Sequence, residues 1–225
     1  EITTRLVGSE MCIRDRKEID FDLNNLVLLF QGMSSTANMV RYAYMNIISN
    51  LYSENFSQVI GNWCKEKEID YVGHVIEDNN AHSRLGYGAG HYFRSIAGQT
   101  MAGIDIIGGQ IVPGMDYHHT AFSTGGSDGE FYHYALCKLG ASAAKLDKNK
   151  NGRLMCEAFG AYGWVEGLKM MKWITDHMIS HGVNLIVPHA FDPKEFPDWD
   201  CPPHFYAHGN NPQYPYFHYF ANYAN

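Results

Sequence analysis

Apolar and polar positions follow two rhythms along this chain. Over 34–49, Met39, Tyr42, Ala43, Met45 and Ile47 recur among polar residues at helical spacing. A second helix is predicted over 54–67, with Phe56, Val59, Ile60, Trp63 and Cys64 on one side and Ser53 as its cap. Short apolar runs of strand length then occur at 69–76, 103–112, 153–159 and 184–191, the second broken by Gly108-Gly109. Helical patterns fill 130–146 and 168–181, the latter stopped by Gly182. A turn occupies 147–152, and 216–225 begins a further helix. The loops lengthen only after strands, at 77–99, 113–128 and 193–215.

Strands alternating with helices predict a parallel sheet. Long loops on the carboxyl side of each strand are the pattern of barrel enzymes. About four such units are visible, and a closed barrel of eight takes about 250 residues. The predicted fold class is therefore α/β, a partial (β/α)8 TIM-type barrel truncated at both ends and spanning 17–225. Residues 1–16 carry no helix or strand period, and 6–16, LVGSEMCIRDR, resembles a translated sequencing-adapter read. They are expected to be a non-native or disordered segment outside the core. The partial barrel, expressed alone, is expected to be inactive and poorly soluble, because its parallel edges are open.

With 45% hydrophobic and 18% charged residues, the 225-residue chain has enough apolar material for one cored domain. A net charge of −7 argues against a nucleic-acid partner. No apolar run approaches the roughly 20 residues of a membrane span. Residues 1–16 carry charge where a signal peptide needs an apolar stretch, so the compartment of the full-length protein stays open. Five cysteines at 12, 64, 137, 156 and 201 form no C-x-x-C pair and read as reduced, mostly buried thiols. The 12 His, 15 Tyr, 12 Phe and 4 Trp offer flat hydrogen-bonding surfaces that suit a polyhydroxylated ligand, although an aromatic core explains the same count.

The candidate chemistry lies where strands end. Leu154-Met155-Cys156 delivers Glu157, followed at once by Phe159, Gly160, Tyr162, Gly163 and Trp164. Glu77 ends the run 71–76 in the same way. Two carboxylates at the mouth of one sheet meet the need of glycoside hydrolysis: one protonates the leaving oxygen and the other attacks or activates water. Tyr162 and Trp164 would stack on a sugar. His74, Asp78, Asn80, His82, His118, His119 and His189, at or after the strand ends, are the further candidates for binding the substrate. Paired structural carboxylates remain the plain alternative. Asp147–Gly152 imitates half of a calcium loop, but its twelfth position is Ala158, so it reads as a turn. Gly86–Gly90 does not match a nucleotide loop, and neither G-x-S-x-G nor H-E-x-x-H occurs.

Trp63-Cys64 with Ile69, Gly73-His74 and Glu77, then HYFRSIAGQTMAGID (91–105), CEAFGAYGW (156–164), VPHAF (187–191) and CPPHFYAHGNNPQ (201–213), resemble stretches of large bacterial glycoside hydrolases of the α-L-rhamnosidase-like group and its relatives with a family 2-type sugar-binding domain. The resemblance covers about 25–225. It implies a (β/α)8 catalytic domain using paired glutamates on an oligosaccharide or glycoside, with β-sandwich domains elsewhere in the same protein. It makes no cofactor certain and allows a calcium ion near the sugar. Carried over by position, Glu77 and Glu157 are the catalytic candidates. The spacing departs from the wider barrel-glycosidase clan, in which acid and nucleophile sit three strands apart; here one predicted strand separates them. Clan analogy makes Glu77 the general acid and Glu157 the nucleophile or base, whereas the apolar flank of Glu157 leans the other way. Two other classes compete: a non-catalytic carbohydrate-binding protein, and a metal-dependent hydrolase using His118, His119 and His189.

Overall fold

The computed structural model describes residues 23–75, 89–114, 118–119, 127–163, 166–189 and 214–224. Segment 1–16 and most of the loops expected after strands lie outside them.

A 3-10 turn, Leu23–Leu29, leads into α1, Ser35–Tyr52. Ser34 caps α1, its hydroxyl accepting the Ala37 N–H at 3.1 Å. The two helices expected here are one continuous run. A π-helical turn, Ser53–Ser57, carries α1 directly into α2, Gln58–Glu66, so Ser53 is an interior position and not a cap. The expected apolar side of α2 is also corrected. Phe56, Val59 and Trp63 are about half exposed, and the inward residues are Ser53, Ser57, Gly61 and Cys64. Close approach decides this: a Cβ on Gly61 would lie 2.1 Å from the Gly98 carbonyl oxygen, so only the small-residue stripe fits against that backbone.

Among the described residues the sheet holds three parallel strands: β1, Ala102–Ile106; β4, Leu154–Ala158; and β5, Leu185–Pro188, in the order β1-β4-β5. Its register pairs Asp105 with Glu157 and Glu157 with Val187. A separate two-stranded antiparallel pair joins β2, His118–His119, to β3, Ser127–Asp128. The strand expected over 69–76 is not laddered within the described residues. Residues 71–75 run beside β1, where Thr100 N–H donates to the Tyr71 carbonyl at 2.9 Å. The Tyr71 N–H is taken by the Thr100 hydroxyl at 3.2 Å, so a side chain replaces a ladder acceptor. Gly103 lets this segment in: its Cβ would fall 1.9 Å from the Gly73 carbonyl oxygen.

A π-turn, Phe131–Ala135, precedes α4, Leu136–Leu146, which follows the short α3, Tyr92–Ser95. Helix α5, Leu168–Ser180, crosses from β4 to β5, and α6, Tyr214–Ala224, comes last. Leu154, Cys156, Ala158, Ile104 and Ile106 are buried with Leu136, Ala141, Met171, Ile174 and Met178 in one core. Gly140 of α4 marks the helix-facing side of the sheet, since a Cβ there would meet Leu154 at 2.8 Å and Ile104 at 3.1 Å. Phe159 closes the core against Phe220 of α6, ring centroids 5.6 Å apart and edge to face. The turn expected over 147–152 is present. Lys150 is buried there, its Nζ donating to the Gln99 carbonyl at 2.7 Å and to Asp147 Oδ2 at 2.8 Å. The described cysteines, Cys64, Cys137 and Cys156, are buried thiols outside any disulfide, as expected. No helix among the described residues is long and apolar enough to cross a membrane.

Candidate active site at the carboxyl end of the sheet

Strand alternation sends Leu154, Cys156 and Ala158 toward the helices and Met155 and Glu157 to the opposite face. Glu157 is the penultimate residue of β4, the middle strand, so its carboxylate stands at the strand's carboxyl end. Asp105 is its register partner on β1 and shares its face, only 1% exposed. The sequence reading passed over Asp105, although a single carboxylate inside the apolar run 101–107 was the available signal.

His74 and His189 flank Glu157. His74 Nε2 lies 2.9 Å from Glu157 Oε2, and its Nδ1 lies 2.9 Å from the Val75 carbonyl oxygen. An ionised carboxylate and a carbonyl both accept, so the two bonds together call for protons on both ring nitrogens. His189 Nε2 stands 3.8 Å from Glu157 Oε1, an electrostatic neighbour beyond hydrogen-bond reach. The His74 hydrogen bond holds the Glu157 carboxyl below its ordinary value of 4.5, against the upward push of burial and with help from the charges of His74 and His189. Burial, the ground for expecting a protonated Glu157, is outweighed by a partner that lies 83 residues away in sequence.

The backbone after Glu157 is unusual. Phe159 and Ala161 adopt left-handed φ values of 78° and 59°, conformations that cost a bulky residue about 1–3 kcal/mol and persist only where neighbours enforce them. The neighbours here are the ends of adjacent strands. Phe159 N–H donates to Ile106 at 3.3 Å, Gly108 N–H to Gly160 at 2.8 Å, and His189 N–H to Ala158 at 2.8 Å. The His189 ring lies flush on Gly160, where a Cβ would come 2.3 Å from Cγ and Nδ1.

Tyr162 is directed into the fold. Its hydroxyl donates to the Ile111 carbonyl at 3.0 Å and accepts the Ile111 N–H at 3.3 Å, and burial pushes its pKa well up. It lines a cleft of about 500 Å³ with Gly108, Gly109, Ala161 and Glu166. Glu166, also passed over in the sequence, is 3% exposed, and burial lifts its carboxyl to about 9. Glu77, Asp78, Asn80, His82 and Trp164 lie outside the described residues. Only the backbone of His118 and His119 is described, as β2.

No family model, curated protein or solved structure matches the chain.

Among the described residues no group of three or more His, Cys, Asp or Glu side chains is arranged to hold a metal ion.

Proposed function

We propose that the protein is a glycoside hydrolase in which Glu157 is the nucleophile or the base that activates water, and Glu77 is the general acid. The observation that carries this reading is the placement of Glu157: a carboxylate kept ionised by His74, at the carboxyl end of the central parallel strand, beside a strained loop. A nucleophile or base must be unprotonated before the substrate arrives, and the His74 hydrogen bond secures that state. His74 and His189 then orient the carboxylate toward the anomeric carbon. The barrel is proposed on related grounds. Segment 71–75, β1, β4 and β5 lie side by side in chain order and run toward one loop-bearing end, as successive strands of a (β/α)8 barrel do. The substrate class is an oligosaccharide or aryl glycoside, of an α-L-rhamnosidase-like kind.

The test is a panel of aryl glycosides with leaving groups of graded pKa, assayed with the full-length protein. Glu157→Gln should lower kcat by roughly 10²–10⁴-fold on every substrate. Glu157→Ala should regain activity with azide. Glu77→Ala should spare good leaving groups and penalise poor ones. Sugar binding without turnover in the unaltered protein would instead identify a carbohydrate-binding module. If neither glutamate change costs more than about tenfold, the pair is not catalytic.

A further inference from the structure

Away from the sheet, α1 and the start of α3 enclose a cleft of about 510 Å³ whose lining, among the described residues, includes two arginines and no carboxylate. In a chain of net charge −7 that is an unusual concentration of positive charge, since half-buried charges are ordinarily paired. The two guanidiniums are placed differently. Arg41 spends its donors on the chain entering α1: Nε donates to the Leu29 carbonyl at 3.1 Å and Nη2 to the Gly32 carbonyl at 2.8 Å. Arg94 is tethered through Nη1 alone, to Asn46 Oδ1 and Ser49 Oγ at 2.8 Å each and to the Asn46 carbonyl at 3.2 Å. Its Nε and Nη2 donors make no hydrogen bond among the described residues. That pair forms the parallel fork which takes a carboxylate in two hydrogen bonds.

The rest of the cleft fits the same ligand. His91 Nδ1 accepts the Arg94 N–H at 3.4 Å, so its ring proton sits on Nε2, a further donor. Tyr42 and Met45 give an apolar wall, with Tyr42 74% exposed and ready to cover a ring. We propose that this cleft binds a carboxylate-bearing small molecule, its carboxylate on the Nε–Nη2 edge of Arg94 and its body against Tyr42. Arg41 contributes charge without direct contact. The site is independent of Glu157 and of the glycosidase reading.

The test is calorimetric titration of the full-length protein with benzoate, D-glucuronate and inorganic phosphate, with the His91 ring signals followed by NMR. The expected result is saturable binding of at least one carboxylate, tighter than phosphate, with the His91 signals moving. Arg94→Lys, which keeps the charge and loses the fork, should weaken binding about tenfold or more. Tyr42→Ala, at an exposed position that leaves folding intact, should weaken it severalfold. Failure of all three probes to saturate, phosphate binding more tightly than both carboxylates, or full affinity in both variants would overturn the proposal.

Discussion

His74 and Glu157 meet at 2.9 Å across β1, joining the segment beside one edge of the sheet to its central strand. A carboxylate whose folded pKa lies below its unfolded 4.5 contributes stability that is present above 4.5 and is lost as the pH falls through the folded value. Glu157→Gln should therefore be less stable than the unaltered protein at neutral pH. The gap should narrow as the pH drops below 4.5. Urea midpoints measured across that range check this. A gap that stays constant with pH would show that His74 does not bind the ionised form.

The contact between Gly160 and His189 gives a second expectation. Gly160→Ala places a methyl where the imidazole now lies, 2.3 Å from its nearest atoms. The ring or the loop must shift, at about 1–3 kcal/mol. His189→Ala clears the space, so the double variant should recover most of that loss relative to His189→Ala alone. A cycle of thermal melts reads the coupling directly, and additive losses would place the strain elsewhere.

Periodicity carried much of the architecture. The runs 103–112, 153–159 and 184–191 each overlap an observed strand; β1 and β4 are largely buried, as apolar runs of strand length imply, whereas β5 is partly exposed. The helical periods of 34–49 and 168–181 likewise became α1 and α5. What failed is contact that no local pattern encodes. Phe56, Val59 and Trp63 form a convincing apolar face, yet α2 turns Gly61 inward because the Gly98 backbone leaves no room for a larger residue. Segment 69–76 has a strand's composition, but the Thr100 hydroxyl takes a donor that a ladder would have used. The end of β4 delivers Glu157 as read from sequence, while its ionised state depends on His74, and Asp105 enters only through register.

Glu166 should respond to pH in the opposite sense to Glu157. Its folded pKa of about 9 lies above its unfolded 4.5, so the stability of the neutral form is complete below 4.5 and is lost as the pH rises toward 9. Glu166→Gln keeps the shape and removes the titration. Melting temperatures should favour the variant increasingly from pH 5 to 8, by roughly 2–4 °C for each kcal/mol gained. Equal melting curves at both ends of that range would mean that Glu166 is ionised in the fold.

Lys150 and Asp147 form the lock beneath the sheet. The Lys150 side chain is 2% exposed and Asp147 31%, so the two halves of the pair should not be equivalent. Asp147→Ala leaves a buried ammonium with the Gln99 carbonyl as its remaining described acceptor, and should cost about 3 kcal/mol. Lys150→Met removes the buried charge and keeps the apolar stem. It leaves only a partly solvated carboxylate behind and should cost about 1 kcal/mol or less. Urea unfolding of both variants decides the order. The reverse order would show that the Lys150 stem and its carbonyl bond, rather than charge pairing, hold the turn between α4 and β4.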